Sequence, residues 1–444
     1  MRILHYSLGL PPYRTGGMTK FCIDLILRQK EAGETVALLW PGKISVLSKK
    51  IKIRKAKTGE IENFEIVNPL PISLNGGIRR MEKYTSDCVN PSGYRRLFEE
   101  FQPDVIHIHT LMGLHKEFLT EAKKKGIKII FTSHDYFGIC PKLTMFHNGA
   151  VCEDVEHCMQ CTACNANALD MKKIILLQSP IYRKIKDWGP VRFLRKNMRE
   201  RFFQEEHIAG NEKKETDRSR DYLELRKYYM DMLQMVDVFH FNSHMAQKIY
   251  NIYVPGIAKK GAVIPISHKD IKNNKKVKTF TGTVKITYLS PAIESKGYRM
   301  LIEVLDALWN RGEQWFTLYL YGRHTIHRPY AIIRPKYQYD ELEKIFQNAD
   351  VLAAPSIWYE TFGYTVLEAL SYGVPVLVTE NVGAKDLLKG NEFGIVIKPE
   401  PESLKEAVLS LKDKKRLVRY NENIVNDFDV EENLKSYDKI MNLY

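Results

Sequence analysis

Two carboxylates, one lysine and a glycine pair stand where sugar and phosphate chemistry would need them. In the run Pro355-Ser-Ile-Trp-Tyr-Glu-Thr-Phe-Gly-Tyr-Thr-Val-Leu-Glu-Ala-Leu-Ser-Tyr-Gly-Val-Pro-Val376, seven residues separate Glu360 from Glu368. The order of residue types predicts a buried strand ending at Ala354, a loop carrying Glu360, and a helix from near Gly363 to Gly373. In an open parallel sheet, ligands bind beyond the carboxyl ends of the strands, where helix N-termini offer unpaired N–H groups to anions. A nucleoside diphosphate fits that place. Glu360 would then face a sugar, and Glu368, about a turn and a half into the helix, would reach vicinal hydroxyls such as those of a ribose. The alternative reading is two solvated surface carboxylates.

Positioning such groups requires alternating strands and helices. In the first third, Arg2 to Leu8, Thr35 to Leu39, Pro103 to His109 and Ile127 to Ser133 read as strands, and Met18 to Gly33 as a helix. Alternation stops near Cys140 and resumes at Val236, so about 140–235 reads as an insertion. That insertion ends in an amphipathic helix with Tyr222, Leu225, Tyr229, Met232 and Val236 on one face. A polar stretch, Lys269-Asp-Ile-Lys-Asn-Asn-Lys-Lys276, reads as a linker. A second series follows, with strands at Lys285–Leu289, Trp315–Tyr321, Asp350–Ala354, Pro375–Thr379 and Gly394–Lys398. The expected fold is α/β, with two Rossmann-like doubly wound domains facing a cleft. The boundaries are 1–265, with the insertion, and 266–430, with 431–444 as a helix packing back on the first domain.

The phrase around Glu360 resembles the retaining glycosyltransferases of family four, a GT-B family whose signature is two glutamates with seven residues between them. It has the family's Pro-Ser, Glu-x-Phe-Gly, Leu-Glu-Ala and Gly-Val-Pro-Val wording. The resemblance extends to Thr15-Gly16-Gly17-Met18, a turn that approaches donor phosphate or acceptor, and to His134, a strand-end histidine facing the cleft. It also takes in Ile286-Thr-Tyr-Leu-Ser-Pro-Ala-Ile-Glu-Ser-Lys-Gly297, where Lys296 would neutralise a leaving diphosphate. Ser290-Pro291 stands where the family carries Gly-Arg, so another cation, with Arg299 or Arg323 as candidates, replaces that arginine or the clamp is weaker. Arg334 to Tyr339 falls where the family holds the nucleobase.

By this resemblance, Glu360, His134 and Lys296 are the catalytic candidates. The donor site is Gly16, Gly17, Lys296, Glu360, Thr361, Phe362, Gly363, Tyr364, Thr365 and Glu368. The donor is a UDP- or GDP-sugar, no catalytic metal is expected, and the acceptor is a glycan or lipid-linked glycan of a surface polysaccharide. His107 and His109, on one face of an alternating strand, are assigned no chemistry.

Five of the seven cysteines cluster: Cys140, Cys152, Cys158, Cys161 and Cys164. Paired and separated thiols suit tetrahedral zinc of a structural kind. Some family members carry a similar insertion, and by that resemblance Cys140, Cys152, Cys161 and Cys164 form the quartet, with Cys158 as alternate. The net charge of +14 favours anionic partners. Part of that excess lies in 172–203, where basic residues interleave with Trp188, Phe193, Phe202 and Phe203, a pattern for an anionic membrane surface. A solvated helical face is the bland alternative. No apolar run is long enough to span a bilayer, and the start reads as a first strand rather than a leader, which points to a cytoplasmic protein, peripheral on the inner face of the membrane. Two competing classes are a GT-B nucleotide-sugar epimerase, which would lack the Glu360 phrase, and a basic zinc-containing nucleic-acid-binding protein. No recognition-helix motif supports the latter, so no nucleic acid is expected.

Overall fold

The computed structural model describes all of the chain except residues 12, 46–47, 57–59, 74–76 and 194–216. Short apolar runs buried on both faces form the central strands. In chain order the strands are β1 Arg2–Tyr6, β2 Thr35–Pro41, β3 Lys52–Ala56, β4 Glu62–Val67, β5 Val105–Ile108, β6 Lys128–Thr132, β7 Phe146–His147, β8 Ala150–Val151, β9 Val238–Phe241 and β10 Gly261–Val263. A second set comprises β11 Val284–Tyr288, β12 Phe316–Tyr321, β13 Ala331–Arg334, β14 Val351–Ala354, β15 Val376–Thr379 and β16 Gly394–Ile397.

The first sheet has the order β10-β9-β6-β5-β1-β2-β4-β3 and is parallel except for β3, which runs antiparallel to β4. The second is fully parallel, in the order β13-β12-β11-β14-β15-β16. Helices cover both sheets, giving two Rossmann-like layers that each bury an apolar core. In each sheet the strand order reverses once, between β1 and β5 in the first and between β11 and β14 in the second. Chain direction diverges there, and the carboxyl ends of strands at such a point are where open parallel sheets bind ligands.

The first helix, Gly17–Glu31, buries Phe21, Cys22, Leu25, Ile26 and Gln29 against the first sheet. Its last turn carries Arg28 and Lys30, suited to the negative end of the helix dipole. Residues 140–235 hold the β7–β8 hairpin and the helices Cys161–Cys164, Met171–Leu177, Pro180–Ile185 and Ser219–Gln234. The last of these buries the face read from sequence, Tyr222, Leu225, Tyr229, Met232 and neighbouring Val236. Its two buried phenols donate to the carbonyls of Ile78 (2.6 Å) and Tyr84 (2.8 Å), so burying them leaves no unpaired hydroxyl hydrogen. The helix Ser436–Met441 and the residues after it run against the first sheet. Tyr437 stacks on Phe21 with centroids 5.6 Å apart, and Lys128 Nζ reaches the Tyr444 carbonyl at 2.7 Å. Among the described residues no helix is long and apolar enough to cross a membrane.

Candidate active site

The loops following β11 and β14 meet at the second sheet's switch point. Gly297 has φ +70°, and a Cβ there would fall 1.8 Å from the Pro355 carbonyl oxygen, so only glycine permits the approach. The Ser295 carbonyl accepts from the amides of Ile357 (2.9 Å) and Trp358 (3.2 Å), stitching one loop to the other. Glu360 is fixed from the far side: its N–H donates to Asn381 O and its carbonyl accepts from Gly383 N, both at 2.9 Å. The stitching brings Lys296 Nζ to 2.6 Å from Glu360 Oε1, while Ser356 Oγ donates to Oε2 at 2.8 Å and the ammonium lies 4.9 Å from the Trp358 ring centre. Both charged side chains are under one-fifth exposed (16% and 18%), so removing either would leave the other shielded from water without its counter-charge.

Gly363, φ +110°, precedes the helix Tyr364–Ser371, whose N-terminus has no side-chain cap. The Gly363 carbonyl takes the Val366 N–H at 3.1 Å, which leaves the Tyr364 and Thr365 N–H groups to an anion. Glu368 is buried in this helix with Oε1 3.2 Å from His268 Nε2, and the rings of Tyr339 and Tyr364 stand edge-on to that imidazole. Thr365 is half-buried in the first turn, whereas the Phe362 side chain is 2% exposed and packs in the core. The Phe362 side chain therefore does not line the donor site, and its carbonyl accepts from Ala384 N at 2.8 Å.

The first domain meets this helix directly. Gly16, φ +130°, precedes the first helix, and a Cβ on Gly17 would lie 3.0 Å from the Tyr364 ring. Thr361 Oγ1 donates to the His134 carbonyl at 3.0 Å, and Ser243 Oγ donates to the Thr361 carbonyl at 2.7 Å. His134 Nε2 lies 3.2 Å from His109 Nδ1, and burial pushes the His134 pKa down to about 3, so the ring is neutral. Glu360, Lys296, Thr361, Gly363 and His134 thus form one neighbourhood, and Gly17, Tyr364 and Glu368 an adjoining one. Arg299, a candidate for the missing cation, instead pairs with Glu303 at 2.7 Å on the exposed face of its helix.

Ser356, Trp358, His268, Ser243 and Asn381 complete the surroundings and escape a reading by residue type. Ser356 lies inside the recognised phrase, where a hydroxyl four residues before a carboxylate is a signal. His268 lies just before the polar stretch read as a linker, where no such signal stands.

The quartet Cys140, Cys152, Cys161 and Cys164 lines one small cavity of about 20 Å³, along with His147 and Arg226. Cys158 lies outside it and shares a hydrogen bond with Cys161; that bond lowers the Cys158 thiol pKa and raises that of Cys161. Among the described residues, the three ligating side chains within 4.8 Å of one another are His5, His107 and His109, not cysteines. The cavity has room for one ion, and the Arg226 guanidinium would offset thiolate charge, but binding would have to draw the sulfurs inward.

Two facing Rossmann-like sheets with loop-borne polar groups at their switch points define the GT-B glycosyltransferase fold. Residues 270–426 match the profile described as glycosyl transferases group 1, and residues 15–150 that of glycosyltransferase family 4. The chain is accordingly a family-four-like glycosyltransferase of GT-B fold. Similar solved structures include WaaG, a glycosyltransferase involved in lipopolysaccharide biosynthesis (TM-score 0.58, 13% identity, 99% of each chain covered). Sucrose-phosphate synthase from Thermosynechococcus elongatus aligns with TM-score 0.56 and 14% identity, over 100% of this chain and 98% of that one. HepE of Anabaena, in complex with UDP and glucose, aligns with TM-score 0.53 and 14% identity, over 99% of each. At these identities the likeness is one of fold. An uncharacterized glycosyltransferase of Methanocaldococcus jannaschii is 39% identical over 66 residues, a match spanning 15% of this chain and only 17% of that protein.

Proposed function

We propose that this protein transfers a sugar, with retention, from a UDP- or GDP-sugar to a glycan or lipid-linked glycan during surface-polysaccharide assembly. The observation that carries the reading is the meeting of Lys296 and Glu360 at 2.6 Å on the second sheet's switch point, beside the uncapped helix at Tyr364. In the reaction the anomeric C–O bond to the diphosphate breaks and its electron pair leaves with the phosphate. The acceptor hydroxyl oxygen forms the new bond to the anomeric carbon, and its proton passes to the departing diphosphate oxygen. Lys296 and the helix N–H groups stabilise the charge on the departing diphosphate. Glu360, oriented by Lys296 and Ser356, binds a hydroxyl of the transferred sugar, Glu368 the ribose, and His134 the sugar from the opposite side. None of these steps requires a metal. The complex of HepE with UDP and glucose, and the involvement of WaaG in lipopolysaccharide biosynthesis, favour a uridine donor and a surface glycan.

Zinc held by Cys140, Cys152, Cys161 and Cys164 belongs to the same reading as a brace for the insertion. Tyr359, next to Glu360, packs against the core shared by the insertion, and the carboxylate of Glu294 lies beside Gly149 of the β7–β8 turn. The insertion thereby buttresses both donor loops.

The test is thermal stabilisation by UDP, GDP, ADP and their sugars, in the wild type and in Glu368→Ala. One nucleotide should raise the melting temperature selectively, and the variant should lose that rise. Stabilisation by no nucleotide, or equal stabilisation of wild type and variant, would overturn the assignment of the site.

A further inference from the structure

Five buried or half-buried histidines, His5, His107, His109, His134 and His240, lie under the cleft, linked by a continuous series of side-chain contacts. We infer that the run Gln29–His5–His109–His134 is a one-way hydrogen-bond chain, anchored on the Gln29 amide oxygen, that holds His134 as the Nε2–H tautomer and turns its Nδ1 lone pair to the cleft.

The direction follows from groups whose roles are fixed. A carbonyl can only accept, so at 2.8 Å from Ile264 O the His240 Nε2 carries the proton and its Nδ1 is an acceptor. Thr132 Oγ1, 3.0 Å away, must then donate to His240 Nδ1. The Thr132 oxygen in turn accepts from His107 Nε2–H at 2.7 Å. His107 Nδ1 is therefore an acceptor, and the Tyr444 hydroxyl donates to it. The Gln29 amide lies beside this phenol, its buried Nε2 making no hydrogen bond and its Oε1 turned to His5. Gln29 Oε1 accepts from His5 Nε2–H at 2.7 Å. His5 Nδ1 accepts from His109 Nε2–H at 3.0 Å, and His109 Nδ1 from His134 Nε2–H at 3.2 Å. Each ring has one donor and one acceptor nitrogen, as a neutral imidazole must, and burial keeps all five neutral.

The trio His5, His107 and His109 has the spacing of a metal site, but the chain already engages both nitrogens of each ring. Gln29, His5 and His109 are thus positioning residues for His134. For substrate, and resting on the proposed transfer reaction, the result is that His134 accepts a hydrogen bond from a sugar hydroxyl rather than donating one.

Nitrogen NMR of ring-labelled histidine, with the His134 signal assigned by its loss in His134→Asn, reads the tautomer directly. The wild type should show His134 protonated on Nε2. Gln29→Met removes the acceptor at His5 and should move His134 toward the Nδ1–H form, with kcat lowered by about tenfold and KM little changed. His5→Phe, which keeps a planar ring but removes the acceptor for His109 Nε2–H, should shift the same signal if Gln29→Met proves unfolded by circular dichroism. An Nδ1–H ring in the wild type, an unchanged His134 signal in the folded variant, or one equivalent of added zinc displacing the His5, His107 and His109 signals would each overturn the inference. The spectra require no turnover, so failure of the transfer reading and failure of the chain remain distinguishable.

Discussion

Lys296 serves two partners in the proposed reaction. In the structure it neutralises Glu360 in a site where both are largely shielded, and during turnover it also stabilises the diphosphate's leaving charge. Lys296→Gln keeps the length and polarity of the side chain but removes the charge. It should lower kcat by roughly 10²–10³-fold with a smaller change in KM, as expected for a group that acts mainly in the transition state. Steady-state transfer assays check this, and an unchanged kcat would remove Lys296 from the chemistry. The histidines give a second residue-scale expectation. Burial holds the pKa of His5 and His240 at about 4 and that of His134 at about 3, below the unfolded value of 6.5. The unfolded chain therefore binds more protons in that window. The stability from keeping these rings neutral is complete above pH 6.5 and is lost as pH falls toward 4, by up to about 3 kcal/mol for each ring. Asp135, raised by burial to about 6, acts in the opposite direction between pH 3.8 and 6, but it is one group against several. Calorimetry from pH 7 to 4 should show a continuous fall in melting temperature, less steep in His5→Gln. Glu360 and Lys296 were legible as residues because charge and spacing mark them. The hydrogen-bond role of His109 was not, since alternation along β5 accounts for its burial without revealing what its ring nitrogens touch.

At the scale of elements, the site depends on two loops that only glycine allows to touch. Gly297→Ala would place a Cβ 1.8 Å from a carbonyl oxygen at φ +70°, so either the Lys296 loop or the Glu360 loop must move. The expected result is a loss of about 2–4 kcal/mol in chemical denaturation, with nucleotide binding weakened. Gly282→Ala is the control: it also has positive φ (+67°) but nothing near its Cβ, so it should cost only the smaller backbone strain. Equal losses in the two variants would show that the loop contact is unimportant. Strands buried on both faces were readable because unbroken apolar runs leave little alternative, and β1, β2, β5, β6, β11, β12, β14, β15 and β16 fall within a few residues of their expected places. Others were not readable. β3, Lys-Ile-Arg-Lys-Ala, is a charged edge strand whose pairing with β4 is set by its neighbour rather than by its own pattern. β13 likewise sits at the edge of its sheet with exposed residues.

For the whole molecule, charge and exposed apolar surface coincide. The chain carries +14, and the helices Met171–Leu177 and Pro180–Ile185, with the residues that follow, expose Leu176, Ile181, Trp188 and Phe193 among Lys172, Lys173, Lys184 and Arg192. The remainder of the stretch expected to meet a membrane, 194–203, lies outside the described residues. Large apolar side chains so exposed are worth burying, and flanking cations would place them on an anionic bilayer rather than against a neutral partner. The same segment reaches the cleft side of the first sheet: Arg183 pairs with Glu65 at 3.1 Å and lies 4.9 Å from the ring centre of Tyr13, in the loop that leads to Gly16. A lipid-linked acceptor held there would be presented near the proposed donor site. Co-sedimentation should therefore show binding to phosphatidylglycerol-containing vesicles and little to pure phosphatidylcholine, with weakening at high salt. The pair Ile181→Ser and Trp188→Ser should reduce vesicle binding at least about tenfold while leaving nucleotide-induced stabilisation intact, because neither residue contacts the donor loops. Binding that ignores lipid charge, or a double variant that binds vesicles as well as the wild type, would detach this segment from the membrane and with it the argument for a lipid-linked acceptor.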